Sequence, residues 1–163
     1  MIEVRQAAEK DLPAMLEIYN DIIVNTTAVW HYEQHTLAMR AEWFEQRKQQ
    51  GFPVFVAMEN GVLLGFSSIG PFRPWPGYSK TVENSVYVAA NARGKGVGKL
   101  LMPPLIDAAK SLGLHAIVAG IDAENETSIA LHKKFGFEEV AHFKQVGWKF
   151  DRWLDLKFLE LIV

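Results

Sequence analysis

The spacing of apolar and polar positions divides the chain into alternating strand and helix segments. Residues 2 to 6 alternate with the period of a strand, and apolar residues then recur at helical spacing from Leu12 to the Asn25-Thr26-Thr27 break. A second helical pattern begins after Thr36, which can cap it, and continues to about Gln50. The first part of the chain is therefore predicted to be a strand followed by two helices.

The same pattern predicts which residues cap and bury these two helices. Asp11 stands just before Pro13 and is expected to cap the first helix. The apolar side of the second helix is expected to contain Leu37, Met39, Ala41, Trp43 and Phe44.

The middle of the chain reads as strands joined by turns. The apolar runs 52–58 and 62–69 flank Asn60-Gly61, a dipeptide that suits a tight antiparallel hairpin. Prolines at 71, 74 and 76 then interrupt regular structure. Thr81 to Val88 is rich in strand-forming residues and is predicted to be the next strand.

The last part of the chain alternates again. A helix is predicted from about Gly98 to Gly113, with Leu100, Leu101, Leu105, Ile106 and Ala109 inward. A strand over 115–121 and a helix over 126–135, capped by Asn125, follow. The runs 137–146 and 153–161 are predicted to be closing strands. No repeat or linker is present, so residues 1–163 are expected to form one domain.

Composition narrows the class of protein. The chain has 163 residues, 49% of them hydrophobic, a net charge of −2 and no cysteine. The absence of a basic run argues against nucleic acid and membrane surfaces as partners, and no thiolate metal site or disulfide can form. The first residues lack the apolar core of a signal peptide, so a cytoplasmic location is expected.

A glycine-rich loop lies between the strand ending at Val88 and the following helix. Arg93-Gly94-Lys95-Gly96-Val97-Gly98 can present backbone N–H groups and a helix N-terminus to an anion such as phosphate. The glycine spacing is neither GxGxxG nor that of a P-loop, because Leu100 follows Gly98-Lys99. An ordinary strand-to-helix turn would use glycine as well.

Several segments together resemble one family. The pattern Arg93-x-x-Gly96-x-Gly98 resembles the acyl-CoA pyrophosphate loop of the GNAT superfamily of N-acetyltransferases, and the element order matches that superfamily over essentially the whole chain. The segment TVENSVYV at 81–88 resembles TVEHSVYV of the phosphinothricin and methionine sulfoximine acetyltransferases. The FRPW segment at 72–75 and KFDRWLDL at 149–156 resemble segments of that subgroup.

The resemblance implies a fold and a donor substrate. The fold is α/β (α+β): a mixed, mostly antiparallel sheet of about seven strands with helices on both faces, in which the strands ending near Val88 and Ile121 splay apart. Acetyl-CoA is implied as the acetyl donor. Its expected contacts are Val86, Tyr87, Val88, Arg93, Gly94, Lys95, Gly96, Val97, Gly98, Lys99, Asn125 and Ser128.

The resemblance also implies two catalytic residues. Glu83 lies in an otherwise apolar strand and matches the proposed general base, although a strand glutamate pointing at solvent is the simpler interpretation. His132 matches the position from which the leaving thiolate is protonated, and a partly exposed helix histidine is an equally good interpretation.

The acceptor is implied to be a small amino acid, such as phosphinothricin, methionine sulfoximine or methionine sulfone. Arg73 offers a planar fork for a carboxylate, and nearby aromatic residues could form a wall. The full expected acceptor set is Trp30, Phe72, Arg73, Trp75, Tyr78, Val82 and Asn84. Asn84 departs from the histidine usual in the subgroup.

Other readings stay open. The acceptor could be another amine, such as an aminoglycoside or a protein N-terminus, or the chain could be a non-catalytic CoA-binding module. His31 and His35 lack the glutamate and cysteine partners of a zinc site, so no metal is expected. The aromatic residues of the closing segment predict a homodimer, as is typical of the subgroup.

Overall fold

A computed structural model describes all 163 residues and shows one seven-stranded sheet with four helices. The strands are β1 Glu3–Gln6, β2 Val54–Glu59, β3 Val62–Pro71, β4 Thr81–Val88, β5 Ala116–Asp122, β6 Glu138–Lys149 and β7 Arg152–Ile162. The helices are α1 Leu12–Asn25, α2 Leu37–Gln49, α3 Val97–Ser111 and α4 Glu126–Lys134. Their order along the chain confirms the predicted order. None of the helices is long and apolar enough to cross a membrane.

The sheet is mixed and mostly antiparallel, as predicted. Its strand order is β1-β2-β3-β4-β5-β7-β6, and only β4 and β5 pair in parallel. The parallel pairing covers three registers, ending at Glu83 opposite Val118. Because β4 continues to Val88 and β5 to Asp122, the two strands separate beyond Glu83 and leave backbone groups without ladder partners. This wedge confirms the predicted splay.

The helices cover the two faces of the sheet with separate cores. On the first face, α1 and α2 pack against β2 and β3 through residues such as Met15, Ile23 and Phe66. On the second face, α3 and α4 pack against β3 to β5 through residues such as Met102 and Leu105. Since strand side chains alternate, Glu83, Ser85 and Tyr87 belong to the first face and their neighbours to the second.

Two-residue turns close both hairpins. Asn60 and Gly61 have φ of 51° and 79°, as a tight hairpin turn requires, so the predicted turn is confirmed. Phe150 and Asp151 have φ of 53° and 55° and join β6 directly to β7. The last two strands are therefore longer than predicted, because residues 147–149 continue β6 up to the two-residue turn, with Trp148 paired to Trp153 across the ladder.

The caps of α2 and α4 confirm two predictions, and the cap of α1 overturns a third. Thr36 accepts from the Met39 N–H at 3.2 Å, and Asn125 from the Ser128 N–H at 3.1 Å. Asp11 makes no capping bond in α1. It accepts instead from Arg5 at 2.7 and 2.8 Å and from the Ala8 N–H, since β1 brings Arg5 within reach of the carboxylate.

The predicted buried sides of α2 and α3 are partly wrong. Leu37 and Met39 are 48% and 46% exposed, whereas Arg40 is only 3% exposed. Leu100 of α3 is 42% exposed, while Leu101 is fully buried. In both helices the buried stripe is displaced from the one that apolar content alone indicated.

Candidate functional site

The glycine loop opens one end of the wedge to a ligand. Gly94 and Gly96 have φ of 78° and 80°, and a methyl group added at either position would meet no atom within 4 Å. Gly98 belongs to α3 and not to the loop, and a Cβ at Gly98 would be 2.9 Å from Leu131 Cδ2. Gly98 thus allows α3 to pack against α4.

The start of α3 offers both hydrogen-bond donors and positive charge. Leu100 N–H bonds to the Gly96 carbonyl at 3.3 Å, and the preceding N–H groups of the helix have no backbone partner. Lys99 lies beside Lys134, and this neighbouring cation lowers the pKa of Lys134. An extended ligand that ends in phosphate groups fits this surface, with its chain in the wedge.

Glu83 occupies the point where β4 and β5 begin to separate. Its Oε1 is 3.1 Å from the position a Cβ on Gly120 of β5 would take, and the same position is 3.4 Å from the Phe158 ring. Burial raises the pKa of Glu83, and the charge of Arg73 partly offsets that rise. A carboxyl with a raised pKa beside an open strand edge is suited to accept a proton.

His132 lies on the second face and is held by two neighbours. Its Nδ1 is 2.7 Å from the Ser128 carbonyl oxygen, and its Nε2 is 3.1 Å from Asn84 Nδ2. Burial lowers the pKa of His132, which favours the neutral ring. A neutral imidazole has one N–H, and the Ser128 carbonyl takes it, so Nε2 accepts from the Asn84 amide.

The aromatic loop that precedes β4 forms a cluster near Glu83. Phe72 packs edge-on against Tyr78 at 5.7 Å and against Phe158 at 6.1 Å, and Trp75 lies 6.3 Å from Tyr78. Trp75 is 60% exposed and is free to contact a ligand. The structure thus brings together four predicted acceptor residues: Phe72, Arg73, Trp75 and Tyr78.

Trp30 lies where the α1–α2 connection meets β6. Its Nε1 donates to the Thr27 carbonyl at 2.9 Å, and its ring covers Gly147, where a Cβ would be 2.5 Å from the ring. Lys149 fastens the same connection by donating to the Ile23 and Val29 carbonyls at 2.6 Å each.

The side chains of Val82 and Asn84 do not face the expected acceptor site. Val82 is 1% exposed within the second-face core, and Asn84 is 6% exposed beside His132. Strand alternation explains this orientation, because both residues flank Glu83 and so point to the opposite face. Tyr87, expected to contact the donor, has its phenol on the first face, where burial raises its pKa to about 12.

Two arginines that the sequence analysis did not single out line a cavity on the first face. The cavity has a volume of about 440 Å³ and lies between α2 and the β3–β4 pair, with Arg40 and Arg47 on its helix side. The signal was present: positions 40, 44 and 47 share one helix face, and Phe44 is buried there. No three His, Asp or Glu side chains are grouped so that they could hold a metal ion.

Comparison with known proteins identifies the family. A model of the acetyltransferase (GNAT) domain matches residues 4–157. A methionine sulfoximine/methionine sulfone acetyltransferase from Pseudomonas paraeruginosa is 48% identical over 159 residues, covering 97% of this chain and 92% of the relative.

Two solved structures extend the likeness to the whole fold. One, described as a ribosomal-protein-alanine N-acetyltransferase from Brucella melitensis, is 50% identical, with a TM-score of 0.97 and 99% of both chains covered. Another, from Salmonella typhimurium and described with its cofactor acetyl-CoA, is 43% identical, with a TM-score of 0.97 and 99% and 93% of the two chains covered. The fold and the family predicted from the sequence are confirmed. The chain belongs to the GNAT family of acetyltransferases.

Proposed function

We propose that the protein transfers an acetyl group from acetyl-CoA to the α-amine of a small amino acid with an oxygen-bearing side-chain end. Methionine sulfoximine, methionine sulfone and phosphinothricin are the expected acceptors. The 48% identity to a methionine sulfoximine/methionine sulfone acetyltransferase supports this class. The observation that carries the chemistry is Glu83, a partly buried carboxyl with a raised pKa where the wedge begins.

The donor would lie along the wedge, with its pyrophosphate at the loop. Residues 93 to 99 would hold the phosphates through backbone N–H groups and cationic side chains. The free backbone groups of Val86, Tyr87 and Val88 would hold the pantetheine arm. Asn125 uses its carbonyl oxygen for the Ser128 N–H, so its amide NH₂ stays available to the donor, as does the Ser128 hydroxyl.

The acceptor would bind between Glu83 and the aromatic loop. Arg73 would pair with the α-carboxylate, because its guanidinium is close enough to Glu83 to affect that group's pKa. This placement sets the ammonium beside the base, which removes a proton directly or through water. The neutral amine then attacks the thioester carbonyl, and a backbone N–H near Val88 stabilises the oxygen that gains negative charge.

We assign His132 a supporting role instead of the acid role. Its one N–H is engaged by the Ser128 carbonyl, and Nε2 carries no proton to donate. His132 would instead position Asn84 and α4 beside the donor, while the departing thiolate takes its proton from solvent. The supporting role is consistent with the depressed pKa of the ring.

Replacing Glu83 by Gln tests the proposed base. The substitution keeps the shape of the side chain and removes the proton acceptor, so kcat should fall by about 10²- to 10⁴-fold. Affinity for acetyl-CoA, measured by calorimetry, should stay unchanged. Glu3→Gln, an exposed strand glutamate in β1, is the matched control. Unchanged turnover of Glu83→Gln at neutral pH would remove Glu83 from the mechanism.

A protein N-terminus is the second candidate acceptor, because the Brucella protein described as a ribosomal-protein-alanine N-acetyltransferase is 50% identical. Thiol release can be compared for methionine sulfone, an alanine-initiated peptide and an aminoglycoside. The proposed function predicts the highest kcat/KM for methionine sulfone. A preference for the peptide would support the second candidate, and acetyl-CoA binding without thiol release would indicate a binding module.

The protein is also proposed to act as a homodimer. Trp148, Phe150 and Trp153 at the β6–β7 turn are 44%, 51% and 58% exposed, and Trp148 and Trp153 stack at 4.8 Å. Exposed aromatic surface of this extent is typical of an interface.

A further inference from the structure

The cavity between α2 and the β3–β4 pair contains a buried cation. Arg40 is 3% exposed, and its guanidinium lies 3.9 Å from the Tyr19 ring centre and 4.6 Å from that of Trp43. Arg47 lies two helical turns further on, with its guanidinium above Gly70 of β3. Ser68 and Ser85 pair across β3 and β4 on the opposite wall.

Neither guanidinium has a counter-ion within the protein. No carboxylate lies within 4 Å of Arg40 or Arg47, and the exposed Glu42 on the rim pairs with neither. The Nε atoms of both arginines are buried without a hydrogen-bond partner. Arg47 has one side-chain bond, to Gln50 Oε1 at 3.1 Å.

The two cations repel each other, so the cavity without an anionic partner is less favourable than burial alone would make it. Arg40 contributes, after burial, to lowering the pKa of Arg47. A buried guanidinium with too few acceptors is unfavourable, because Gln50 beside Arg47 and the Tyr19 hydroxyl beside Arg40 replace only part of the lost hydration. The cavity is therefore complementary to a group with several oxygen atoms, and most of all to one that is anionic.

The position of the cavity relative to Glu83 indicates which group enters it. Ser85 follows Glu83 by two residues on the same face, roughly 7 Å along the strand. The charge of Glu83 also reaches the cavity, since it is among the causes that raise the pKa of Tyr87. Arg47 lies level with Glu83, because Gly70 beneath it pairs with Glu83, whereas Arg40 lies nearer to Tyr87, whose pKa it affects. An α-carboxylate is only two bonds from the α-amine, so it cannot reach Arg40 and Ser85 from an amine at Glu83. The end of a side chain can.

We propose that Arg40 and Arg47 form the subsite for the oxygen-bearing end of the acceptor side chain. Sulfone, sulfoximine or phosphinate oxygens would accept from the two guanidinium forks, while Arg73 holds the α-carboxylate. This inference rests on the proposed function. Arg40 and Arg47 would give the protein its selectivity for acceptors with an oxidised side-chain end. The two arginines touch the substrate away from the reacting atoms, so they determine specificity.

The test compares two acceptors that differ only in the oxygens on sulfur: methionine sulfone and methionine. Arg40→Met and Arg47→Met should lower kcat/KM for methionine sulfone by about 10- to 100-fold, mainly through KM. The values for methionine should change by less than about threefold. Lys48→Met, an exposed neighbour on α2, is the control and should change neither. Phosphinothricin, with its anionic end, should lose more than methionine sulfone.

The pattern across acceptors distinguishes the subsite from other roles. An equal loss for both acceptors would overturn the inference, because it would mean that the arginines hold the shared carboxylate or maintain the fold. No loss for either would overturn it as well. If Arg40→Met does not fold, Arg47→Met still tests the inference, because Arg47 is less buried. Thermal melting and acetyl-CoA binding show whether each variant is folded.

Inorganic sulfate provides a direct probe of the same cavity. Sulfate should compete with methionine sulfone in the wild-type protein and lose that effect in Arg40→Met. Sulfate that binds without raising the KM for methionine sulfone would show a separate anion site and overturn the inference. If the wild-type protein releases no thiol with any amino acid, the proposed function fails and this inference fails with it. If the wild-type protein is active but its selectivity survives in the variants, this inference alone fails.

Discussion

Gly120 provides a graded test of how closely the position of Glu83 controls turnover. In Gly120→Ala the new methyl group would lie 3.1 Å from Glu83 Oε1, 3.4 Å from Phe158 Cε1 and 3.7 Å from Leu156 Cδ1. The two apolar contacts are ordinary van der Waals distances, so only the carboxylate must move. The required displacement is a few tenths of an ångström, because ordinary contacts of a Cβ begin near 3.4 Å.

The size of the effect follows from that displacement. A misplacement of about 1 Å can cost about 10²-fold in rate, so a shift of a few tenths should cost roughly three- to tenfold in kcat. The strand itself should not be weakened, because alanine is a better strand residue than glycine. Steady-state thiol release with methionine sulfone measures kcat. Calorimetry should show unchanged affinity for acetyl-CoA, since the added methyl group contacts Glu83, Phe158 and Leu156 and not the phosphate loop.

A double-mutant cycle decides whether the methyl group acts through Glu83. In the Glu83→Gln background, adding Gly120→Ala should have little further effect, because the base is already absent. The reasoning is refuted if Gly120→Ala lowers the residual activity of Glu83→Gln by the same factor as in the wild type. That result would mean that Gly120 matters for another reason, such as donor access through the wedge.

Three further predictions concern stability and assembly. Arg5 holds the pKa of Asp11 below its usual value, so this pair stabilises the fold above about pH 4, and the contribution is lost as pH falls through the folded pKa of Asp11. In urea unfolding, Asp11→Asn should be about 1–3 kcal/mol less stable than the wild type at pH 7, and the difference should shrink near pH 3. A difference that stays constant with pH would contradict this prediction. Lys149→Met leaves two carbonyls without their donor and should lose about 2–4 kcal/mol in the same assay, whereas wild-type stability would show that the two bonds contribute nothing. Trp153→Ser should shift the molecular mass in light scattering from dimer toward monomer, and a monomeric wild-type protein would refute the proposed interface.

The order of the elements was predictable because its signals are local. Asn60-Gly61 determines a turn by its own backbone preferences, and the caps of α2 and α4 depend on bonds within one turn. The splay of β4 and β5 was implied only by family resemblance, since nothing local to either strand requires it. Asp11 was misassigned because its partner, Arg5, is brought close by a strand that pairs with β2.

The candidate site was less predictable because its parts come from both faces of the sheet. The segment around Glu83 places alternate side chains on opposite faces, so a contiguous motif does not mean a contiguous site. The side chains of Val82 and Asn84 therefore lie on the opposite face from that of Glu83. Arg40 was missed for a different reason: a buried cation is rare, and an amphipathic pattern assigns charged residues to solvent unless a ligand is considered.

Glu83 also has an effect on stability that follows from its pKa. Its pKa is raised in the folded protein, so folding favours the protonated form and stability falls as pH rises through the folded pKa of Glu83. Glu83→Gln should therefore be at least as stable as the wild type at pH 7 while being far less active. Such a loss of stability would agree with the proposed role of Glu83 as the base, since active sites commonly trade stability for activity.

The pH dependence of kcat/KM for methionine sulfone, compared between wild type and Glu83→Gln, shows whether Glu83 is the base. Both profiles should rise with pH as the amine of the acceptor loses its proton. The wild-type profile should show a second, acidic limb above the ordinary pKa of a glutamate, and Glu83→Gln should lack it. An acidic limb of the same position and size in both proteins would contradict the assignment of Glu83 as the base.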